Sequence, residues 1–286
     1  MRAEFLALLS SIGWAADSIL VRKGAQSSNI FVAAFLSYLV TTLSLWIIIS
    51  LFYPLHLLWT PATIYFVLSG FLQPLLARIL YYTGITRLGV SRAGPLRGTG
   101  PLFAVFVAVI FLNERPNSFV YGGSILTVAG GWLILSRMRE EPDWRLFDVV
   151  FPLGAALVAA VSQSLRKAGL LLLGNPYVGA TITNSTSLIL YLISLLVLGK
   201  IRLIRPNRAS LPFFGSAAFI AAAAQILVFV ALSRGDVSVM VPLFNTTPLF
   251  AVLLSALFLK DLERVTLRVV IGSVIMVAGV VFIANH

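Results

Sequence analysis

The sequence predicts an all-α membrane protein with ten transmembrane helices, arranged as two inverted repeats of five helices. Two observations predict this fold. Of the 286 residues, 59% are hydrophobic and 11% are charged, and the mean hydropathy is +0.98. A soluble domain has about 45–50% apolar and about 25% charged residues. The second observation is an internal repeat, because residues 86–105 are similar to residues 233–252, 147 positions later.

The apolar runs have the length of membrane-spanning helices, which need roughly 20 residues per crossing. No residue from Gly24 to Ala77 is charged, so this stretch must hold two spans, and we place the turn between Phe52 and Pro61. The ten predicted spans lie near residues 5–23, 30–51, 62–85, 93–112, 118–136, 148–167, 177–198, 211–233, 237–259 and 265–284.

The net charge of +11 indicates loop charge at the membrane surface, and we expect no nucleic-acid partner. Lys and Arg number 14 in the odd-numbered loops and 5 on the other side, where Arg166 and Lys167 at the end of the sixth predicted span are counted as loop charges. The positive-inside rule then places the odd-numbered loops in the cytoplasm and both termini outside.

The repeat covers both halves of the chain. An odd number of spans per repeat turns the second copy upside down in the membrane, which is typical of secondary transporters. We therefore predict one repeat at residues 1–138 and another at 148–286, joined by a loop at 139–147. The recurring residues are Pro95 and Pro101 with Pro242 and Pro248, Glu114 with Glu263, and Gly123 and Gly130 with Gly272 and Gly279.

These duplicated motifs resemble the ten-helix EamA-type branch of the drug/metabolite transporter superfamily over essentially the whole chain. The motifs are the Pro-x₅-Pro fourth span, the Phe-Leu-x-Glu-Arg turn and the Gly-x₆-Gly fifth span. The resemblance implies a central site between the halves and alternating access. It also implies that both termini lie in the cytoplasm. That disagrees with the count of basic residues, so the orientation stays open.

Two of these motifs predict packing. Glycines seven residues apart share one helix face, so we expect the fifth span to contact the tenth closely. Glu114 and Glu263 precede the fifth and tenth spans, where a carboxylate suits the positive end of the following helix and can pair with Arg115 or Arg264.

Proline breaks at corresponding places in the fourth and ninth spans indicate a transport site. Each proline removes a backbone donor and frees a carbonyl, which in lipid must find a protein or water partner. The polar residues at the breaks, namely Thr99, Asn245 and Thr246, are therefore predicted substrate contacts. The alternative is that Pro95, Pro101, Pro242 and Pro248 only kink the helices for packing.

Arg78 and Arg97 lie inside predicted spans, where a charge costs about 2.5–3.5 kcal/mol. A guanidinium group there can bind a carboxylate, phosphate or sulfate of the substrate. The alternatives are an ion pair with Asp17 and, for Arg97, extension to the nearby interface. Asp17 is either the partner in that pair or a carboxylate that carries a coupled proton; the two roles exclude each other.

Uncharged residues complete the predicted site. Trp14 and Tyr82 could wall an apolar part of the pocket, although plain helix packing is the alternative. Gln163 and Gln225, polar residues inside spans, are either substrate contacts or interhelical hydrogen bonds. We place this site near the midplane, among the first, third and fourth spans and their counterparts, the sixth, eighth and ninth.

The predicted function is secondary active transport, as an exporter in the plasma (inner) membrane, of a small organic metabolite such as an amino acid or carboxylate. The alternative is a flippase for a lipid or lipid-linked head group. The sequence has no cysteine and no phosphate-loop, dinucleotide or zinc-protease signature. We therefore expect no enzyme activity and no cofactor or metal. The expected partners are the substrate and the lipid bilayer, and fusion of two halves is compatible with a monomer.

Overall fold

The structure, a computed structural model, describes residues 2–88, 90–135, 145–258 and 267–285. These residues form helices and no strands. Nine helices in the described ranges are long and apolar enough to cross a membrane, and Ser118–Ile134 is a shorter apolar helix. The prediction of an all-α membrane protein with about ten spans is confirmed.

The spans contain thirteen α-helices in the described ranges, because the third, fourth and ninth spans are each divided. In chain order they are α1 (Ala3–Gly24), α2 (Ile30–Phe52), α3 (Thr63–Gly70), α4 (Ala77–Leu88), α5 (Val90–Arg97), α6 (Gly100–Leu112), α7 (Ser118–Leu135), α8 (Val150–Leu173), α9 (Pro176–Val197), α10 (Leu211–Arg234), α11 (Val237–Phe244), α12 (Thr247–Phe258) and α13 (Leu267–Ala284). The sixth span continues to Leu173, beyond its predicted end at residue 167, so Arg166 and Lys167 lie well inside α8 and counting them as loop charges is wrong.

Asparagine side chains begin the second span of each half. Asn29 Oδ1 accepts hydrogen bonds from the backbone N–H groups of residues 31 and 32, and Asn175 Oδ1 accepts them from residues 177 and 178. Each asparagine thereby satisfies two of the backbone donors that a helix start leaves free. Helices α2 and α9 thus have the same N-terminal cap, which agrees with the internal repeat.

The third span is divided at Gln73, a break that the sequence analysis did not predict. Gln73 has φ −131° and ψ 116°, between α3 and α4. Pro74 follows it, and a proline disfavours the helical conformation of the residue before it because its ring collides with that residue's backbone. The break changes the course of the chain just before Arg78.

The predicted breaks in the fourth and ninth spans are present. Helix α5 contains Pro95 and ends at Arg97, and α11 contains Pro242 and ends at Phe244. The following helices α6 and α12 have Pro101 and Pro248 in their first turns, where a missing N–H costs little. Ser11 of α1 supplies a buried hydroxyl that donates to the carbonyl of Leu243 (2.9 Å) at the second break.

The seven-spaced glycines pack α7 against α13, as predicted. A methyl group on Gly123 would lie 2.6 Å from the carbonyl oxygen of Gly279, and one on Gly130 would lie 2.5 Å from that of Gly272. The helices therefore cross antiparallel, with backbones too close for any side chain at these positions. Because Gly123 corresponds to Gly272 in the repeat, this crossing is the one expected for inverted halves.

Glu114 joins the two halves, but not in the way the sequence predicted. Its carboxylate accepts hydrogen bonds from the backbone N–H groups of Val237 (2.8 Å) and Ser238 (2.9 Å) and from the Ser238 hydroxyl (2.6 Å). Glu114 therefore binds the N-terminus of α11 and not the N-terminus of α7, the helix that follows it in the chain. Asn113, with φ 54°, turns the chain at this point. The corresponding prediction for Glu263 falls outside the described residues.

Lys167 forms a second buried connection at the same end of the bundle. Its Nζ donates to the carbonyl oxygens of Leu232 (3.0 Å) and Gly235 (2.8 Å). These carbonyls end α10, and a cation there also interacts favourably with the negative end of the helix dipole. Lys167 is buried, and its hydrogen bonds to these carbonyls compensate the ammonium group for the loss of water.

Candidate functional site

A cavity of about 650 Å³ lies among α1, α2, α4, α8, α9 and α10. Its wall includes Val21 near the end of α1, Ile30 at the start of α2 and Lys200 just after α9. These three positions lie at the same end of the bundle, so the cavity opens there. Most of the wall surface is apolar, although more than half of the lining residues have a polar or charged side chain. Sites that bind small molecules combine apolar walls with polar groups that orient the ligand.

Tight packing closes the opposite end, where α3 begins. The buried Phe66 ring lies so close to α8 and α9 that a methyl group on Gly169 or Gly179 would come within 2.7 Å of it. Buried hydroxyls add hydrogen bonds beside it: Ser162 donates to the carbonyl of Ser69 (3.0 Å), and the Ser69 and Thr183 hydroxyls are 3.1 Å apart. Among the described residues, this packing separates the cavity from the end of the bundle where α3 begins.

Arg78 projects from the first turn of α4 into the cavity wall. Its Nη2 donates to the hydroxyl of Tyr38 on α2 (3.1 Å), and its Cζ lies 5.8 Å from the centre of the Tyr38 ring. The half-buried guanidinium has five N–H donors, so this contact leaves most of them free to bind another group. No carboxylate forms an ion pair with Arg78 among the described residues.

Arg166 of α8 places a second guanidinium in the same wall. It is only 5% exposed, and its Cζ lies 5.3 Å from the centre of the Phe229 ring. Its Nη1 donates to Oε1 of Gln163 (3.3 Å), whereas its buried Nε has no hydrogen-bond partner in the described part of the chain. The cavity wall therefore contains two arginines that form no ion pair with a carboxylate among the described residues.

Asp17 of α1 supplies the acidic side chain in the described cavity wall. Its Oδ1 is buried and has no hydrogen-bond partner among the described residues. The ion pair with Arg78 that the sequence suggested is not found there, because Arg78 donates to Tyr38 instead. The carboxylate thus stays available to a bound molecule or to a proton.

The structure brings some of the predicted site residues together and separates others. Trp14, Asp17, Arg78, Gln163 and Gln225 all line the cavity. Gln225 corresponds to Arg78 in the repeat, so equivalent positions of the two halves face the same space. The prediction for Tyr82 concerns a side chain that the structure does not describe.

The polar residues at the helix breaks do not line the cavity. The side chains of Thr99, Asn245 and Thr246 donate to the carbonyls of residues 96, 241 and 243, three or four positions earlier in the chain. They satisfy carbonyls of the helix turn just before each break, which explains why polar residues occur there. Pro95, Pro101, Pro242 and Pro248 divide the helices without contributing to the wall, although neighbouring Phe244 does contribute.

Arg97 is likewise absent from the cavity wall. It ends α5, and it interacts electrostatically with Tyr81 of α4. The fourth span thus contributes no residue to the wall, whereas the second and seventh spans, which the predicted site left out, contribute many.

Sequence reasoning missed Tyr38, Gln73 and Arg166. Tyr38 and Gln73 had weak signals, because a single tyrosine is common in spans and the Gln-Pro pair marks only a break. Arg166 had a clear signal, an arginine within an apolar run, but it lay at the predicted end of the sixth span and was counted as a loop charge.

Comparisons with known proteins agree with this architecture. A crystal structure of another protein superimposes with a TM-score of 0.81 over 99% of this chain and 96% of its own, at 14% identity, and this likeness shows the fold alone. An uncharacterised transporter of Archaeoglobus fulgidus is 25% identical over 97% of this chain and 96% of its own length. An uncharacterised protein of Methanocaldococcus jannaschii is 33% identical over 38% of this chain and 77% of its own. The model of the EamA-like transporter family matches residues 1–136 and 147–285, and the chain therefore belongs to that family.

Proposed function

We propose that this protein is a secondary transporter that exports a small organic metabolite bearing a carboxylate, such as an amino acid or a simple carboxylate. The proposal rests on the position of the Arg78 guanidinium, which lies in the cavity wall and donates to the Tyr38 hydroxyl and not to a carboxylate. A guanidinium binds a carboxylate through two parallel hydrogen bonds, and burial strengthens them.

Alternating access between the two sides of the membrane is the proposed mechanism. Its support is the asymmetry of the cavity, which is open beside Lys200 and closed beside Phe66. The helices α3, α8 and α9 that close one end would have to separate for the site to face the other side. The two inverted repeats, residues 1–138 and 148–286, would rock against one another around the site.

Ligand-induced stabilisation of the purified protein tests the substrate class. A ligand at 100 times its Kd adds about 2.7 kcal/mol to the stability of the folded state, enough for a thermal-shift measurement. The panel contains amino acids, carboxylates, sugar phosphates, nucleotides and lipid head groups. We expect a shift with carboxylate-bearing compounds that is lost in Arg78→Gln and kept in Arg115→Gln. Arg115 is a suitable control because it is exposed at the closed end.

Two outcomes would contradict the proposal. Equal affinity of the wild type and Arg78→Gln would exclude Arg78 as the carboxylate-binding group. A response to phospholipid-like compounds alone would support instead a flippase that uses the same cavity for a lipid head group.

A further inference from the structure

Three charged side chains of the cavity wall that are at least partly buried lack an oppositely charged partner among the described residues, whereas Lys200, also in the wall, is exposed to water at the mouth. Arg78 of α4 donates to a phenol, Arg166 of α8 donates to an amide, and Oδ1 of Asp17 on α1 has no hydrogen-bond partner. A charge removed from water costs several kcal/mol unless an opposite charge and hydrogen bonds compensate it. Three such groups facing one cavity therefore indicate a ligand that carries the complementary charges.

We infer that the substrate is a small amino dicarboxylate, with one carboxylate for each arginine and an ammonium group for Asp17. This inference rests on the proposed function, because it extends the site at Arg78 to Arg166 and Asp17. These two guanidinium groups and the carboxylate sum to one positive charge; the Lys200 ammonium, exposed to water at the mouth of the cavity, is not counted. Two carboxylates and one ammonium sum to one negative charge, so the occupied site is neutral.

Ligands with fewer charged groups leave at least one charged side chain of this site without an opposite charge. A neutral amino acid has one carboxylate, so either Arg78 or Arg166 would stay without an anion. A dicarboxylate without an ammonium group would place two further negative charges in the cavity that holds Asp17, and like charges at short range are repulsive.

The position of the two arginines also fits a ligand that bridges the helices. Arg78 and Arg166 belong to different halves of the repeat, and both line the same cavity beside Tyr38. The Tyr38 hydroxyl accepts the hydrogen bond of Arg78 and so helps to fix this guanidinium in the wall. A molecule with two carboxylates would link α4 to α8 through these side chains.

Matched ligands separate the contributions of the three charges. L-glutamate carries both carboxylates and the ammonium, L-glutamine lacks the second carboxylate charge, and glutarate lacks the ammonium. L-aspartate, L-asparagine and succinate form the same series with a shorter chain. We expect isothermal titration of the wild type to give, in at least one series, a Kd for the amino dicarboxylate that is at least about tenfold lower than for either analogue.

Substitutions then assign each preference to a residue. Asp17→Asn should abolish the preference for glutamate over glutarate, because the group that binds the ammonium is gone. Arg166→Gln should abolish the preference for glutamate over glutamine, and Arg166→Lys should restore part of it by returning the charge. Arg115→Gln should change neither.

The wild-type comparison alone can overturn the inference, even if a variant fails to fold. If glutamine and glutarate, or their shorter analogues, bind as tightly as the amino dicarboxylate and still require Arg78, the inference fails and the proposed function stands. If no carboxylate binds, or binding is independent of Arg78, the proposed function itself fails.

Discussion

Replacing Glu114 by glutamine removes the negative charge that holds the start of α11 against the turn between α6 and α7. The glutamate carboxylate accepts three hydrogen bonds, two from backbone N–H groups and one from the Ser238 hydroxyl. Hydrogen bonds to a charged group contribute about 1.5–3 kcal/mol each, and losing a helix cap costs about 0.5–2 kcal/mol. The glutamine amide keeps one of the two acceptor oxygens. We therefore expect a loss of about 2 kcal/mol for Glu114→Gln and about 3–4 kcal/mol for Glu114→Ala.

Reversible unfolding in mixed micelles, followed by the loss of helical signal, measures this free energy. Asp236→Asn is the matched control, because Asp236 precedes the same helix but its side chain makes no capping hydrogen bond. Removing its charge should cost only the dipole interaction of about 0.3–1 kcal/mol. If Asp236→Asn destabilises the protein as much as Glu114→Gln, the hydrogen bonds of Glu114 do not secure α11 and the reasoning is refuted.

Other substitutions test the packing and the site. Gly130→Ala should lower the free energy of unfolding by about 1–3 kcal/mol, whereas Gly122→Ala, whose methyl group would lie 3.7 Å from its nearest neighbour, should change it by less than about 0.5 kcal/mol in the same assay. Lys167→Met should cost about 2 kcal/mol, because it leaves one buried and one partly buried carbonyl without their donor, and an unchanged unfolding curve would contradict that role. Tyr38→Phe should weaken ligand binding several-fold by releasing Arg78, and titration showing an unchanged Kd would exclude a positioning role for the Tyr38 hydroxyl.

The membrane fold could be predicted from the sequence because its determinants are local or duplicated. Apolar runs of helical length predicted the spans, and the repeated glycines predicted the contact of α7 with α13. The break at Gln73 was missed because one proline in an apolar run is compatible with a continuous helix. Only the surrounding packing decides whether such a helix divides.

The candidate site was less predictable, because its residues meet only through tertiary structure. Position near a helix break suggested Thr99, Asn245 and Thr246 as substrate contacts, but their side chains satisfy carbonyls of their own helices. Glu114 is a second example of a contact that local sequence does not predict. Helix-capping preferences predict that Asp236 caps α11. The carboxylate that accepts the hydrogen bonds at the start of α11 is instead that of Glu114, which lies 123 residues before Val237 in the chain. Arg166 was counted as a loop charge because the predicted span ended one residue after it, whereas α8 continues to Leu173.

Transport into vesicles tests the central claim most directly. Wild-type protein, Arg78→Gln and Arg115→Gln are reconstituted into liposomes loaded with unlabelled glutamate, and uptake of labelled glutamate from outside is followed as exchange. The account predicts exchange by the wild type and by Arg115→Gln, and at least about a tenfold loss in Arg78→Gln despite equal insertion. Exchange of a carboxylate at the wild-type rate by Arg78→Gln would contradict the claim that this cavity, through Arg78, is the transport site.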